Sequence, residues 1–264
     1  MAKDAGKNKF RMHIEYPDGT VHQGKKDFRR WTDFIGITDF NFKGKSVLDV
    51  ATNEGWWALW SEMQGASYVE ATDVERGEDY DWGAEKDWNW INTLNENRGG
   101  RDVLDFHRKN LNSKVFTKKE SIYEATGEFD IIFAHGLMYH LRHPLLAIDN
   151  MFRCCKGIFI FETMVDIYPD QEIAQTKFYR TTELGAPSNW TGATSACYNS
   201  WLKDAGFTEM FFTNAGAGPL GKSRQIFIAL VDESYKSLFI KNKNLNYCDE
   251  DYWNRVYNKT KFIK

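Results

Sequence analysis

Between residues 46 and 231, short runs of apolar and β-branched residues alternate with amphipathic stretches, and glycine or proline marks most boundaries. This pattern dictates a mainly parallel sheet with helices on both faces, because parallel neighbours need a crossover and a right-handed crossover helix packs back onto the sheet. Strands are expected at 46–51, 68–73, 114–116, 129–134, 158–162, 207–213 and 225–231. The run 129–134 is apolar without alternation, as in a strand covered on both faces. Helices are expected at 56–63, stopped by Gly65, at 82–97, ending at Gly99 and Gly100, and at 195–205, ending at Gly206. Another opens at Pro144, places Leu145, Ile148, Met151, Phe152 and Cys155 at three- and four-residue steps, and stops at Gly157.

Around this core, residues 1–44 read as an N-terminal extension packing on it, 45–231 as the domain proper with an insertion near 164–192, and 232–264 as a peripheral polar and aromatic tail. The charges, 34 basic against 37 acidic, lack the excess that a protein gripping many phosphates carries. No apolar run approaches the ~20 residues of a membrane span, and residues 1–9 have no signal-peptide core, so the expectation is a cytoplasmic protein. Cys154, Cys155, Cys197 and Cys248 form no C-x-x-C pair and read as reduced thiols. The chain holds 10 Trp, 12 Tyr and 19 Phe, and Trp56 and Trp60 share one helical face, which assigns them to the core.

In an open α/β sheet, ligands sit beyond the carboxyl ends of the strands. The loop after the first strand, Asp49 to Gly55, has an acid at the strand end, small or turn-forming residues at Ala51 and Asn53, and Gly55 at the helix entry. Asp73 closes the second strand at the distance where an acid accepts bonds from ribose hydroxyls. No G-x-G-x-x-G accompanies it, so an adenosine cofactor without a pyrophosphate fits, which points to S-adenosylmethionine.

The runs VLDVATNEGWWALW (47–60), FDIIFAHGLMYHLRHPLLAIDNMF (129–152) and IFIFETM (158–164) resemble class I S-adenosylmethionine-dependent methyltransferases, and within them the tRNA wobble-uridine group. The resemblance reaches Pro17-Asp18-Gly19 and Gln23-Gly24 upstream and Asn189-Trp190 and Ala205-Gly206-Phe207 downstream, covering roughly 12–231. It departs from the family at Ala51, usually glycine, and at Thr52, usually cysteine. The resemblance implies a Rossmann-like fold with a seven-stranded, mostly parallel sheet. It also implies that Asp49, Ala51, Asn53 and Gly55 line the methionine end of the cofactor, that Asp73 holds the ribose, and that Ser121 and Ile122 flank the adenine. His135 and Tyr139 would face the sulfonium, with Tyr139, His140, His135 and Arg224 as the candidate catalytic group.

His135, His140 and His143 invite a metal reading, but methyl transfer in this family needs none, so no metal is expected. The acceptor stays open between a small molecule and RNA, and so does the oligomeric state. Carboxy-S-adenosylmethionine is the alternative cofactor; the enzymes that use it place a Lys before a Gly where this chain has Gln23-Gly24, with Lys25, Lys26 and Arg224 as the cations that could substitute, and the plain cofactor is expected. A second class of function, a non-catalytic binding domain with a degraded cofactor loop, is motivated by Ala51 and Asn53.

Overall fold

A computed structural model describes residues 10–83, 85–97, 100–179 and 187–261. The N-terminal residues form a two-stranded hairpin, β1 (Ile14–Glu15) and β2 (Val21–His22), and a short helix, α1 (Arg29–Ile35). The alternation then begins with β3 (Ser46–Val50), α2 (Trp56–Met63) and β4 (Tyr68–Asp73). Two helices follow, α3 (Trp88–Asn97) and α4 (Gly100–Leu111), then β5 (Phe116–Lys119), β6 (Phe129–His135), α5 (Pro144–Cys154) and β7 (Cys155–Met164). A second hairpin, β8 (Thr176–Phe178) and β9 (Thr191–Ala193), precedes α6 (Ser195–Ala205), β10 (Glu209–Thr213) and β11 (Arg224–Leu230). The chain continues through α7 (Lys236–Phe239), β12 (Leu245–Tyr247) and α8 (Glu250–Thr260).

The main sheet has the order β12-β10-β11-β7-β6-β3-β4-β5. From β7 to β5 every pairing is parallel. Strand β11 runs against both β7 and β10, because no helix separates it from β10 and a short connection can only reverse the chain. This is the expected Rossmann-like fold, with eight strands in place of seven. The added strand is β12, from the segment beyond 232, which pairs antiparallel with β10 through Phe211↔Tyr247. Helix α8 buries Tyr252, Trp253 and Val256.

Several boundaries differ from the sequence reading. The helix expected over 82–97 starts at Trp88, since the Trp82 indole donates to Gly77 O at 2.6 Å and holds that segment as a loop. The strand expected at 114–116 is β5, shifted to Phe116–Lys119. Gly157 stops no helix: it lies inside β7, where a Cβ would come within 2.6 Å of Asp130 O, so glycine serves a close approach in the sheet. Of the insertion expected near 164–192, residues 180–186 lie outside the described ones, as do 1–9, Gly99 and 262–264.

The three tryptophans of α2 are buried, Trp56 stacks on Trp60 at 5.7 Å, and both join the core on that face of the sheet. The order reverses between β3, whose next strand lies on one side, and β6, on the other, so the crevice opens above their carboxyl ends.

Candidate active site

From Val50 the chain passes into α2 through a tight loop in which Ala51 (φ 54°), Asn53 (φ 53°) and Gly55 (φ 81°) are all left-handed. Two carboxylates hold this loop. Asp49 accepts from Thr52 Oγ1 at 2.6 Å and from the Ala58 amide at 3.1 Å, and burial pushes its pKa up to about 7. Asp73, at the end of β4, accepts from the Asn53 amide at 3.0 Å and the Glu75 amide at 3.3 Å. A carboxylate offers about four acceptor positions, so Asp73 can both fix the loop and take part in binding.

Above these strand ends lies a cavity of about 460 Å³. Asp49, Ala51, Asn53, Asp73, Ser121 and Ile122 all line it, on the side of β3, β4 and β5. His135, Tyr139 and His140 line its other side, beyond β6. Gly55 is not on the wall: a Cβ there would sit 2.2 Å from Leu104 Cδ1, so its place is explained by packing against α4 and by its backbone angle. Arg224 stands behind the wall, donating from Nη2 to Tyr139 Oη at 3.0 Å and from Nη1 to Glu162 Oε2 at 3.2 Å.

The three histidines take separate roles. His135 stacks flat on Trp57 at 4.1 Å, neither ring nitrogen has a partner, and burial drives its pKa down to about 3. His140 Nδ1 lies 2.9 Å from Ser188 O. A carbonyl only accepts, so Nδ1 carries the proton and Nε2 is left as an acceptor. Burial lowers the His140 pKa to about 4, so the ring is neutral near neutral pH. His143 precedes α5 as its N-cap residue. Among the described residues no three His, Cys, Asp or Glu side chains gather as metal ligands, and no helix is long and apolar enough to cross a membrane.

Three contributors, Glu162, Glu120 and Arg11, escaped the sequence reading, and Lys26, weighed there only as a stand-in for a missing lysine, joins them. Glu162, two residues before the end of β7, lines the cavity, 3% exposed. Glu120, buried beside Ser121, pairs with Lys118 through Oε1 while Oε2 has no hydrogen-bond partner. Both are acids near the carboxyl end of a strand, the signal that identified Asp49 and Asp73. Arg11 and Lys26 reach the wall from the N-terminal extension, where Lys26 N donates to Arg11 O and His13 N to Lys26 O. Lys26 lines the cavity, and desolvation by the surrounding protein lowers its pKa to about 8, with Arg11 and Arg224 adding repulsion. The extension is pinned to the β3–α2 loop and the start of α2: Glu54 accepts from the amides of Arg11 and Met12 at 2.8–3.0 Å, and the Trp56 indole donates to His13 O at 2.9 Å.

A parallel sheet in this order, with a cavity at its switch point, is the architecture of class I methyltransferases. Residues 21–209 match the family described as Methyltransferase domain, and the chain belongs to that family. Among solved structures, the N-terminal domain of EvdMO1 in the presence of SAH and D-fucose is similar over 85% of this chain and 91% of its own, with 14% identity and a TM-score of 0.56. An S-adenosylmethionine dependent methyltransferase from Mesorhizobium loti covers 74% of this chain and 95% of its own, at 13% identity and 0.51. Magnesium protoporphyrin IX methyltransferase from Synechocystis PCC 6803 with bound SAH covers 76% and 79%, at 13% and 0.50. At such identities the likeness is one of fold. No curated protein matches the sequence at a significant level.

Proposed function

We propose that the protein is an S-adenosylmethionine-dependent methyltransferase whose cofactor lies along the ends of β3, β4 and β5 and whose acceptor meets it beside Tyr139 and His140. The observation that carries this reading is that Asp73, the left-handed β3–α2 loop and Tyr139 with His140 share one cavity in a chain of this family. Asp73 suits the ribose hydroxyls, Ser121 and Ile122 the adenine face, and the unpartnered Oε2 of buried Glu120 an exocyclic amine. Bound there, S-adenosylmethionine would supply a methyl group already activated by the sulfonium. The protein's own task is then to align the acceptor and exclude water. His140, with Nε2 as acceptor, suits removal of the proton that a nitrogen or oxygen nucleophile loses on methylation.

A second reading, transfer of a carboxymethyl group to the wobble uridine of tRNA, finds support in one feature. Gln23 is neutral, but Arg11 and Lys26 on the cavity wall supply the cations that a carboxylated sulfonium would need. The plain cofactor remains the proposal. Calorimetry with both cofactors tests it: tight binding of S-adenosylmethionine is expected, while preference for the carboxylated form, lost in Lys26→Ala, would restore the second reading. Absence of binding to either would favour the non-catalytic module. A screen for methyl transfer to total tRNA and to small-molecule acceptors addresses the substrate.

A further inference from the structure

Burying an ion without a partner costs several kcal/mol, so a carboxylate at the end of a core strand needs an explanation. Glu162 is such a group; Arg224 is its ion-pair partner, and Lys26 on the cavity wall adds a weaker attraction. Arg224 Nη1 lies 3.1 Å from Oε1 and 3.2 Å from Oε2, with Oε1 receiving no well-directed hydrogen bond. The same guanidinium turns Nη2 to Tyr139 Oη at 3.0 Å, and its carbon stands 4.7 Å from the centre of the phenol ring. Gly136 lies between the two ends of this chain of groups, since a Cβ there would be 3.8 Å from both Glu162 Oε2 and Tyr139 Oη. The backbone fixes the arrangement, because Gly136 N donates to Glu162 O at 2.7 Å and Arg224 pairs across the sheet with Met164.

The direction of the second contact matters. Arg224 can only donate, so the Tyr139 oxygen accepts through a lone pair and its own proton points elsewhere. Tyr139 and Glu162 both line the cavity, whereas Arg224 does not. We propose that Glu162 is a positioning residue of the acceptor site: its carboxylate holds the Arg224 guanidinium on the Tyr139 hydroxyl, which leaves the phenol proton as the group offered to the methyl acceptor. The proposal rests on reading the cavity as a site of methyl transfer. A cation so close to a phenol favours its ionised form, and the carboxylate behind the cation offsets that pull. Burial, the largest influence, and Glu162 push the Tyr139 pKa up while Arg224 and, more weakly, Arg11 on the cavity wall draw it down, with the upward influences prevailing. Without the carboxylate charge the phenol would ionise more readily, lose its proton and become a second nucleophile facing the methyl donor.

Glu162→Gln keeps the side-chain shape and removes the charge. Ultraviolet titration of tyrosinate is recorded for the wild-type protein and for Glu162→Gln, each with and without Tyr139→Phe, so that the differences isolate one phenol. The midpoint of Tyr139 is expected to fall by roughly 1 pH unit or more in the Gln variant; an unchanged midpoint in the folded variant overturns the proposal. Should Glu162→Gln fail to fold, Arg224→Gln reads the same contact from the other partner. There the midpoint is expected to rise, and an unchanged midpoint again overturns the proposal. Binding of S-adenosylhomocysteine to the wild-type protein is measured alongside. Its absence would remove the methyl-transfer reading while the titration still decides whether Glu162 acts on Tyr139.

Discussion

The two sides of the cavity are built by different means. On the side of β3, β4 and β5 the wall is backbone: a left-handed loop tied down by Asp49 and Asp73, with small residues where the chain approaches the ligand. On the side of β6 and β7 it is side chain: stacked rings at Trp57 and His135, and the Glu162–Arg224–Tyr139 series. The first design suits a cofactor shared by many enzymes, since backbone amides and one acid recognise it without special residues. The second suits an acceptor particular to this protein, because its recognition rests on side chains brought from distant segments.

The contrast has an electrostatic form, and breaking it should give the largest effect. Asp49 in the fold has its pKa raised to about 7, above its unfolded value, so the stability it gains from being protonated is full at low pH and is lost as pH rises towards 7. His135 and His140 are displaced the other way, to about 3 and about 4, so their contribution is full above pH ~6.5 and is lost as pH falls towards those values. Each unit of displacement corresponds to about 1.4 kcal/mol. Urea midpoints across this range should therefore show Asp49→Asn gaining on the wild type as pH rises, and His135→Gln gaining on it as pH falls. Parallel curves would refute the assignment of these charges to opposite sides.

The loop that carries this wall should also tolerate no added side chain where it packs against α4. Gly55→Ala forces a Cβ to within 2.2 Å of Leu104 Cδ1 at φ 81°. Left-handed backbone costs alanine ~1–2 kcal/mol, and overpacking adds ~1–3 kcal/mol. A loss of about 2–5 kcal/mol in denaturant unfolding is expected, with cofactor affinity falling only because the loop shifts.

Asp73→Ala probes binding on the same side. Losing a charged acceptor for ribose hydroxyls should weaken S-adenosylhomocysteine binding by about 1.5–3 kcal/mol in calorimetry. Tyr139→Phe, on the other side, should leave that affinity nearly intact. Equal losses in both variants would erase the distinction between cofactor and acceptor walls.

How much of this was legible in sequence follows the same division. The bounds of α2, β4 and α6 coincide with those expected, because hydrophobic period and glycine stops are local signals. The loop of Asp49, Ala51 and Asn53 and the acid Asp73 were legible for the same reason. Glycine was misread where its cause was a tertiary neighbour, as at Gly157 beside Asp130, whereas Gly55 stands at the entry of α2 as expected and packs against Leu104 besides. The acceptor wall was legible only in pieces: Tyr139 and Arg224 are 85 residues apart and Glu162 and Arg224 are 62 apart, and no spacing rule joins them until the sheet does. The eighth strand escaped because β12 is three residues long and takes its pairing from the edge of β10.

The smallest expected effect tests why the cofactor loop tolerates its departure from the family pattern. Ala51 occupies a φ of 54°, a conformation that glycine adopts freely and alanine at a cost of ~1–2 kcal/mol. Restoring glycine removes that cost but frees the unfolded chain, which takes back ~0.5–1 kcal/mol. Ala51→Gly should therefore raise stability by no more than about 1.5 kcal/mol and leave the affinity for S-adenosylhomocysteine close to that of the wild type. Ala51→Val gives the sharper contrast, since a β-branched residue is a true outlier at positive φ. It should lose stability and affinity together, because the left-handed turn that carries the Asn53 amide to Asp73 would have to open. Were Val tolerated as well as Gly, the backbone conformation of this loop would not be what holds the cofactor side together.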